Sequence, residues 1–203
     1  DETHELPGLR DFACAPRGGR ILGRHTSPCL RPLSSSSTSA QGPLSALKKG
    51  FGQLLRALRP CPSPPSLVIN YAPPRSFDDC FCFSGTTGHV SVSFANVVEL
   101  SELQLLHWSD PDQFSSAPNT FSVIGFGEDQ AFRQAAQGVD MGTFRFLPGN
   151  ATFPGENFYF QSFSLSKVSA VKSIMLRVLD NHGADKTCLY RVRAMGAHML
   201  ASQ

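Results

Sequence analysis

Ser173-Ile-Met-Leu-Arg-Val-Leu-Asp-Asn-His-Gly-Ala-Asp-Lys-Thr-Cys-Leu-Tyr-Arg-Val-Arg-Ala-Met-Gly196 is the stretch on which the fold reading turns. Its first half alternates, with Ile174, Leu176 and Val178 on one side and Met175, Arg177 and Leu179 on the other. Its second half alternates again: Cys188, Tyr190, Val192 and Ala194 share one face, and Leu189, Arg191 and Arg193 the opposite one. Two runs of period-two patterning, split by a polar segment containing Gly183, predict two antiparallel strands joined by a loop. A buried face that carries both a Cys and a Tyr requires a specific neighbour for each polar atom.

Upstream, the same pattern recurs in short pieces. Residues 67–70, 80–83, 89–94, 103–108, 120–125, 142–147 and 157–163 read as strands, with Gly, Pro, Asn and Asp between them. Their recurrence every ten to fifteen residues or so, with no helical period from 67 onward, predicts an all-β antiparallel sandwich. Sixteen Phe against one Trp and three Tyr predict a core built from phenylalanine on strands. Gly125-Phe-Gly127 marks a bulge or turn, because no helical pattern follows it to make a phosphate loop.

The first 42 residues differ in character. They include Ser34-Ser-Ser-Ser-Thr-Ser39, too polar to bury a core of its own. Two pieces within them, 9–14 and 19–22, read as short or edge strands. Over 43–59, Leu44, Leu47, Phe51, Leu54, Leu55 and Leu58 fall near helical spacing, with Lys48, Lys49, Arg56 and Arg59 around the turn. Two readings stand for this element: a basic face for a membrane or partner, or an element packed on its own domain. Arg59-Pro-Cys-Pro-Ser-Pro-Pro65 is a stiff extended linker.

Charge and cysteine usage narrow the function classes. A net charge of +2, with only 17% charged residues, leaves no basic block and no motif for nucleic acid. The six Cys (14, 29, 61, 80, 82 and 188) form no CxxC pair and have no His at zinc spacing. Free buried thiols or an oxidising compartment both fit them, and Asn150-Ala-Thr152 is a formal glycosylation acceptor. No apolar run is long enough to span a membrane. No Met precedes Met141, so the chain reads as an excerpt or a processed product.

Several motifs, in order, carry a resemblance to a known family. They are Asp11-Phe-Ala; Gly18-Gly19; Thr26-Ser27; Asp79-Cys-Phe-Cys-Phe-Ser-Gly85; Ser115-Ser-Ala-Pro-Asn-Thr-Phe-Ser-Val-Ile-Gly-Phe126; Asp180-Asn-His-Gly183; and Thr187-Cys-Leu-Tyr-Arg-Val-Arg193. The chain resembles the SUN-domain family of nuclear-envelope proteins, with the closing motif the most specific and the Arg-Val-Arg-Ala-Met-Gly ending nearest to spermatid-type members. The resemblance places an upstream linker at 1–10, the domain at 11–197 with a divergent lid at 30–66, and a tail at 198–203. Glu156-Asn-Phe-Tyr-Phe-Gln-Ser162 looks like an engineered protease site, yet it fits a strand of this family and reads as native.

What the resemblance implies is specific. Family members are inner-nuclear-membrane proteins, with a transmembrane helix and coiled coil upstream. Their domains trimerise in the perinuclear space and take the C-terminal tails of KASH proteins between protomers, bridging nucleoskeleton and cytoskeleton in the LINC complex. The physics is strand addition plus capture of a terminal carboxylate. Carried onto this chain, the tail pocket is His107, Ser116 and Tyr190, with Lys186 where the family usually has a second Tyr. Cys80 and Cys188 match the intradomain disulfide, and Cys82, without a counterpart, reads as a buried thiol. Cys29 is the candidate for an intermolecular disulfide to the tail. The family's monovalent cation, K+ or Na+, is held mostly by carbonyls of the loop that here is 70–79. Its candidates in this chain are Asn70, Asp78 and Asp79, in a loop that departs from the family pattern, so no cofactor is required by this reading.

Two other classes compete. A discoidin-like carbohydrate- or ligand-binding sandwich shares the architecture and would expose Trp108. A hydrolase could draw on His107, Ser116 and Asp110, but no Gly-x-Ser-x-Gly elbow exists, and the expectation is of a non-enzyme.

Overall fold

The computed structural model describes residues 10–30, 61–108, 110–127, 138–147 and 158–198. The basic stretch at 43–59, most of the lid, the Ser run and the acceptor Asn150 lie outside these residues.

Nine strands are described: β1 (Arg10–Asp11), β2 (Arg20–Ile21), β3 (Phe81–Ser84), β4 (Gly88–Trp108), β5 (Thr120–Phe126), β6 (Val139–Arg145), β7 (Phe158–Val178), β8 (Lys186–Leu189) and β9 (Arg191–His198). Seven form one sheet in the order β1-β9-β4-β7-β5-β6, with β2 also on β4, while β3 and β8 make a separate pair. All the strand pairings are antiparallel.

The sheet is a sandwich because its two longest strands bend. β4 and β7 pair with each other twice, over 88–93 with 173–178 and again over 98–108 with 158–171, with register breaks between Ser93 and Val98 and between Leu100 and Glu102. The first paired half carries β5 and β6 beside β7; the second carries β9 and β1 beside β4. Such bulges let a strand pass from one layer to the other. Phe121 of β5 meets Phe163 of β7 edge-to-face at 5.0 Å, joining the two halves across the core.

The bulge at Ser101 also resets which side chains point inward. Val90, Val92, Phe94, Val98 and Leu100 are buried at even positions, whereas Leu103 and Leu105 are buried at odd ones. One unpaired residue moves every later side chain to the other face. His107 then falls on the core-facing side of the last turns of β4, where it is 1% exposed.

Three local expectations change. The segments 173–179 and 188–194 are not a hairpin: β7 and β9 flank β4 on opposite sides, and the intervening β8 leaves the sheet to pair with β3. Pairs of predicted strands, 89–94 with 103–108 and 157–163 with 173–179, are single bent strands of 21 residues each, β4 and β7. Residues 67–70 are not a strand but part of a 3-10 helix, Pro65–Ile69, whose opening Pro64-Pro65 presets the turn. In turn, Asp11 holds β1 onto β9, its Oδ1 accepting from the backbone N–H of Ala13 at 2.9 Å and of Ala194 at 3.1 Å.

Candidate functional site

At Tyr190 the chain leaves β8 and enters β9, and the alternation slips. Leu189 faces the main core, as do Val192 and Ala194 beyond the slip. Cys188 and Tyr190 instead join Cys80 and Cys82 in a second, smaller cluster flanked by Leu30 and Trp108. One residue of slip therefore assembles a second buried cluster, distinct from the main core.

Tyr190 is the centre of this cluster. Its ring stands edge-to-face to His107 at 4.7 Å and stacks near Trp108 at 6.4 Å, and its hydroxyl donates to the carbonyl of Phe77 at 2.8 Å. Burial first, and the neighbouring Cys80 thiol after it, push the phenol's pKa well above its ordinary value. It is a neutral donor throughout the accessible pH range.

His107 is neutral for the same reason. Burial lowers it to about 4, against which the bond between Nδ1 and the carbonyl of Trp108, at 3.1 Å, works only weakly. Its Nε2 is buried without a hydrogen-bond partner. A group that stays neutral when folded but protonates near 6.5 when unfolded destabilises the fold as pH falls through that interval. The expected loss is about 3 kcal/mol by pH 4. Urea unfolding of H107Q should show a correspondingly shallower acid limb than the wild type; identical limbs would refute the burial of this imidazole.

The disulfide is the first correction. Cys188 is bonded to Cys82, its register partner across the β3–β8 ladder, and not to Cys80. Directly opposed residues bring their side chains together, whereas Cys80 lies before β3 begins. Cys80 is the free buried thiol, with Sγ 3.4 Å from Cys82 Sγ and 3.4 Å from the carbonyl of Phe77. The second correction concerns Cys29. It forms an intrachain disulfide with Cys61, so it is not available to a tail, and the backbone N–H of Leu30 beside it bonds Cys82.

Ser116 ends the 3-10 helix Pro111–Ser116, and its Oγ donates to the carbonyl of Gln113 at 2.8 Å. That helix is docked on the 181–184 turn by Ala184 N–H to Ser115 and His182 N–H to Ala117. Buried Asn181 fastens the turn, its amide reaching the carbonyls of Ala184 and Lys186 and its Oδ1 accepting from the N–H of Gly183, which sits at φ 111°. Ser116 and half-buried Lys186 are thus linked through the 181–184 turn, but among the described residues no bond joins Ser116 to the His107 or Tyr190 ring. Asp110 caps its own helix by accepting from the N–H of Asp112. The Ser, His and Asp side chains are each engaged separately and form no relay.

The loop 70–79 contains an ion pair that the alternation concealed. Arg191, on the outward side of β9, is only 2% exposed because this loop covers it. Its guanidinium donates to the carbonyls of Ala72 and Leu67 at 2.8 Å, Asp79 at 3.2 Å and Tyr190 at 2.7 Å, and to Asp79 Oδ2 at 3.0 Å. Asp79 also accepts from the N–H of Arg75. Of the cation candidates, Asp79 is committed to this guanidinium; Asn70 and Asp78 are exposed. The guanidinium already takes the carbonyls of Ala72 and Asp79 and the Asp79 carboxylate, so these groups do not fit a cation site. The sequence signal for the pair was the Arg of Tyr-Arg-Val-Arg, but alternation alone sends that side chain to solvent.

Comparison with known proteins settles the family. The family model described as "Sad1 / UNC-like C-terminal" matches residues 63–198, more than half of the chain. The chain belongs to the SUN-domain family. This SUN domain is 32% identical over 123 residues to "SUN domain-containing protein 2" of Mus musculus, covering 58% of the chain and 16% of that protein. It is 32% identical over 147 residues to "Sperm-associated antigen 4 protein" of Rattus norvegicus, covering 68% of the chain and 30% of that protein. The domain therefore spans less than a third of the length of either relative. Among solved structures, the "family 32 carbohydrate-binding module from Streptococcus pneumoniae EndoD" superposes with TM-score 0.54 at 10% identity over 91% of this chain and 98% of that one. A putative chitobiase fragment from Bacteroides thetaiotaomicron gives 0.58 at 9% over 98% and 99%. At such identities these likenesses establish the discoidin-like sandwich fold of the SUN domain and nothing of its ligand. Among the described residues, no helix is long and apolar enough to cross a membrane.

Proposed function

We propose that this SUN domain captures the C-terminal tail of a KASH protein in the perinuclear space of the nuclear envelope, as a trimer and without catalysis, within a LINC bridge. The observation that carries the reading is the Tyr190 cluster: His107, Tyr190 and Trp108 held together next to a disulfide in a SUN fold. Because the phenol of Tyr190 is taken by Phe77 and His107 is buried, both serve as floor beneath the tail. Lys186, half-buried at the start of β8, is the charged group that receives the terminal carboxylate. The domain needs no monovalent cation, since Arg191 holds the 70–79 loop; melting temperatures in K+ and in choline should agree.

Charge-assisted hydrogen bonds contribute about 1.5–3 kcal/mol, so a Pro-rich peptide with a free C-terminal carboxylate should bind roughly 10- to 100-fold tighter than its amidated form. Calorimetry with the two peptides tests this, and Lys186→Glu should remove the difference. Equal affinity for both peptides, or glycan binding with no peptide affinity, overturns the proposal.

A further inference from the structure

The Cys80, Cys82 and Cys188 sulfurs all lie within 4.8 Å of one another, and all three residues are buried. Two are bonded and the third is a free thiol whose Sγ is 3.4 Å from Cys82 Sγ. A buried thiol packed against a disulfide is the arrangement for intramolecular exchange. We infer that the disulfide of Cys188 is mobile between Cys82 and Cys80, so that this domain has two interconverting covalent isomers.

The step is isomerisation and balances without an oxidant. The Cys80 thiolate, after rotation about its Cα–Cβ bond, attacks Cys188 Sγ. The Cys80–Cys188 bond forms, the Cys82–Cys188 bond breaks, and Cys82 leaves as a thiolate that takes up the proton Cys80 gave up. Burial is the main reason the Cys80 thiol sits at about 11. The groups around it act in both directions: the Tyr190 hydroxyl and Lys186 favour the thiolate, and Asp78 and Asp79 oppose it. Exchange is consequently slow at neutral pH and accelerates about tenfold per pH unit below that value.

The exchange reaches the loop above it. Cys80 Sγ touches the carbonyl of Phe77, the same oxygen that accepts the Tyr190 hydroxyl. Turning Cys80 toward Cys188 withdraws the sulfur from that carbonyl and loosens the 70–79 loop over Tyr190. The two isomers then differ in how readily the pocket floor is uncovered, a consequence that rests on the tail-capture reading, whereas the exchange itself does not.

The test is pairing analysis of the native protein. After incubation at mildly alkaline pH, the protein is acidified to stop exchange, unfolded in excess N-ethylmaleimide so that the buried thiol is blocked as it becomes exposed, and digested without reductant. Chymotryptic cleavage after Phe81 separates the two candidate cysteines, and mass spectrometry reads the cross-linked peptides. Both Cys82–Cys188 and Cys80–Cys188 peptides should appear, the second increasing with time and pH; Cys82→Ser should form Cys80–Cys188, and Cys80→Ser should retain only Cys82–Cys188. A single pairing that does not change on incubation refutes the inference, and so does Cys82→Ser with residues 80 and 188 both alkylated. If Cys82→Ser does not fold, the wild-type time course decides alone. Peptide calorimetry on the wild type, set beside its pairing time course, separates the two claims: exchange without tail binding sinks only the functional reading, and tail binding with a fixed bond sinks only this one.

Discussion

Cys188→Ser should lose about 4–5 kcal/mol of unfolding free energy, the chain-entropy value for a loop of roughly a hundred residues. The bond it removes joins residues 106 apart in sequence, tying β3 to β8 and leaving the unfolded chain far less freedom than it would otherwise have. The substitution deletes the common partner of both other sulfurs, so no second cysteine can substitute for it. Cys82→Ser is the informative contrast: with Cys80 adjacent, it should cost markedly less. Chemical denaturation of the three proteins under non-reducing conditions checks the order. A Cys188→Ser protein within 1 kcal/mol of wild type, by the same chain-entropy argument, would mean the bond does not form in solution.

Asp79→Ala should cost about 2–4 kcal/mol. Removing one partner of a buried pair leaves the other charge uncompensated, which typically costs about 3–5 kcal/mol. The lower range applies here because the Asp79 side chain is 21% exposed while that of Arg191 is 2% exposed, so solvent screens part of the effect. Burial already pulls the pKa of Arg191 down, and Asp79 is the charge that works against it. Arg191→Met should also destabilise, by a different route: it orphans the carbonyls of Leu67, Ala72 and Asp79. A double-mutant cycle on Asp79→Ala and Arg191→Met, read by thermal and urea unfolding, isolates the coupling. Additivity of the two changes would refute a direct ion pair.

The two cases also mark where the sequence stops being legible. The period-two runs, the phenylalanine usage and the ordered motifs were enough to reach a β-sandwich of the SUN family, because burial of alternate side chains is a local property of each strand. The candidate ring pair was legible through the motifs as well, and His107 and Tyr190 do meet. The competing discoidin-like reading would expose Trp108, yet its ring lies half-buried beside Tyr190. Cys82, which without a family counterpart reads as a buried thiol, is the bonded partner instead, because cross-strand register pairs it with Cys188 across β3 and β8.

Alternation by itself determined that Ile174, Leu176 and Val178 enter the main core, though Met175 on the other face is buried too, and the closing motif determined the family. Only the tertiary structure decided that Leu189 and Val192 share an interior despite opposite parity, that Arg191 is buried, and that Cys82 takes the bond. The physical reason is tertiary in each case, and for Cys82 it is the cross-strand register of β3 on β8. A single-residue slip between β8 and β9, or a loop folded over an outward face, changes a side chain's surroundings without changing the local pattern that encodes its strand.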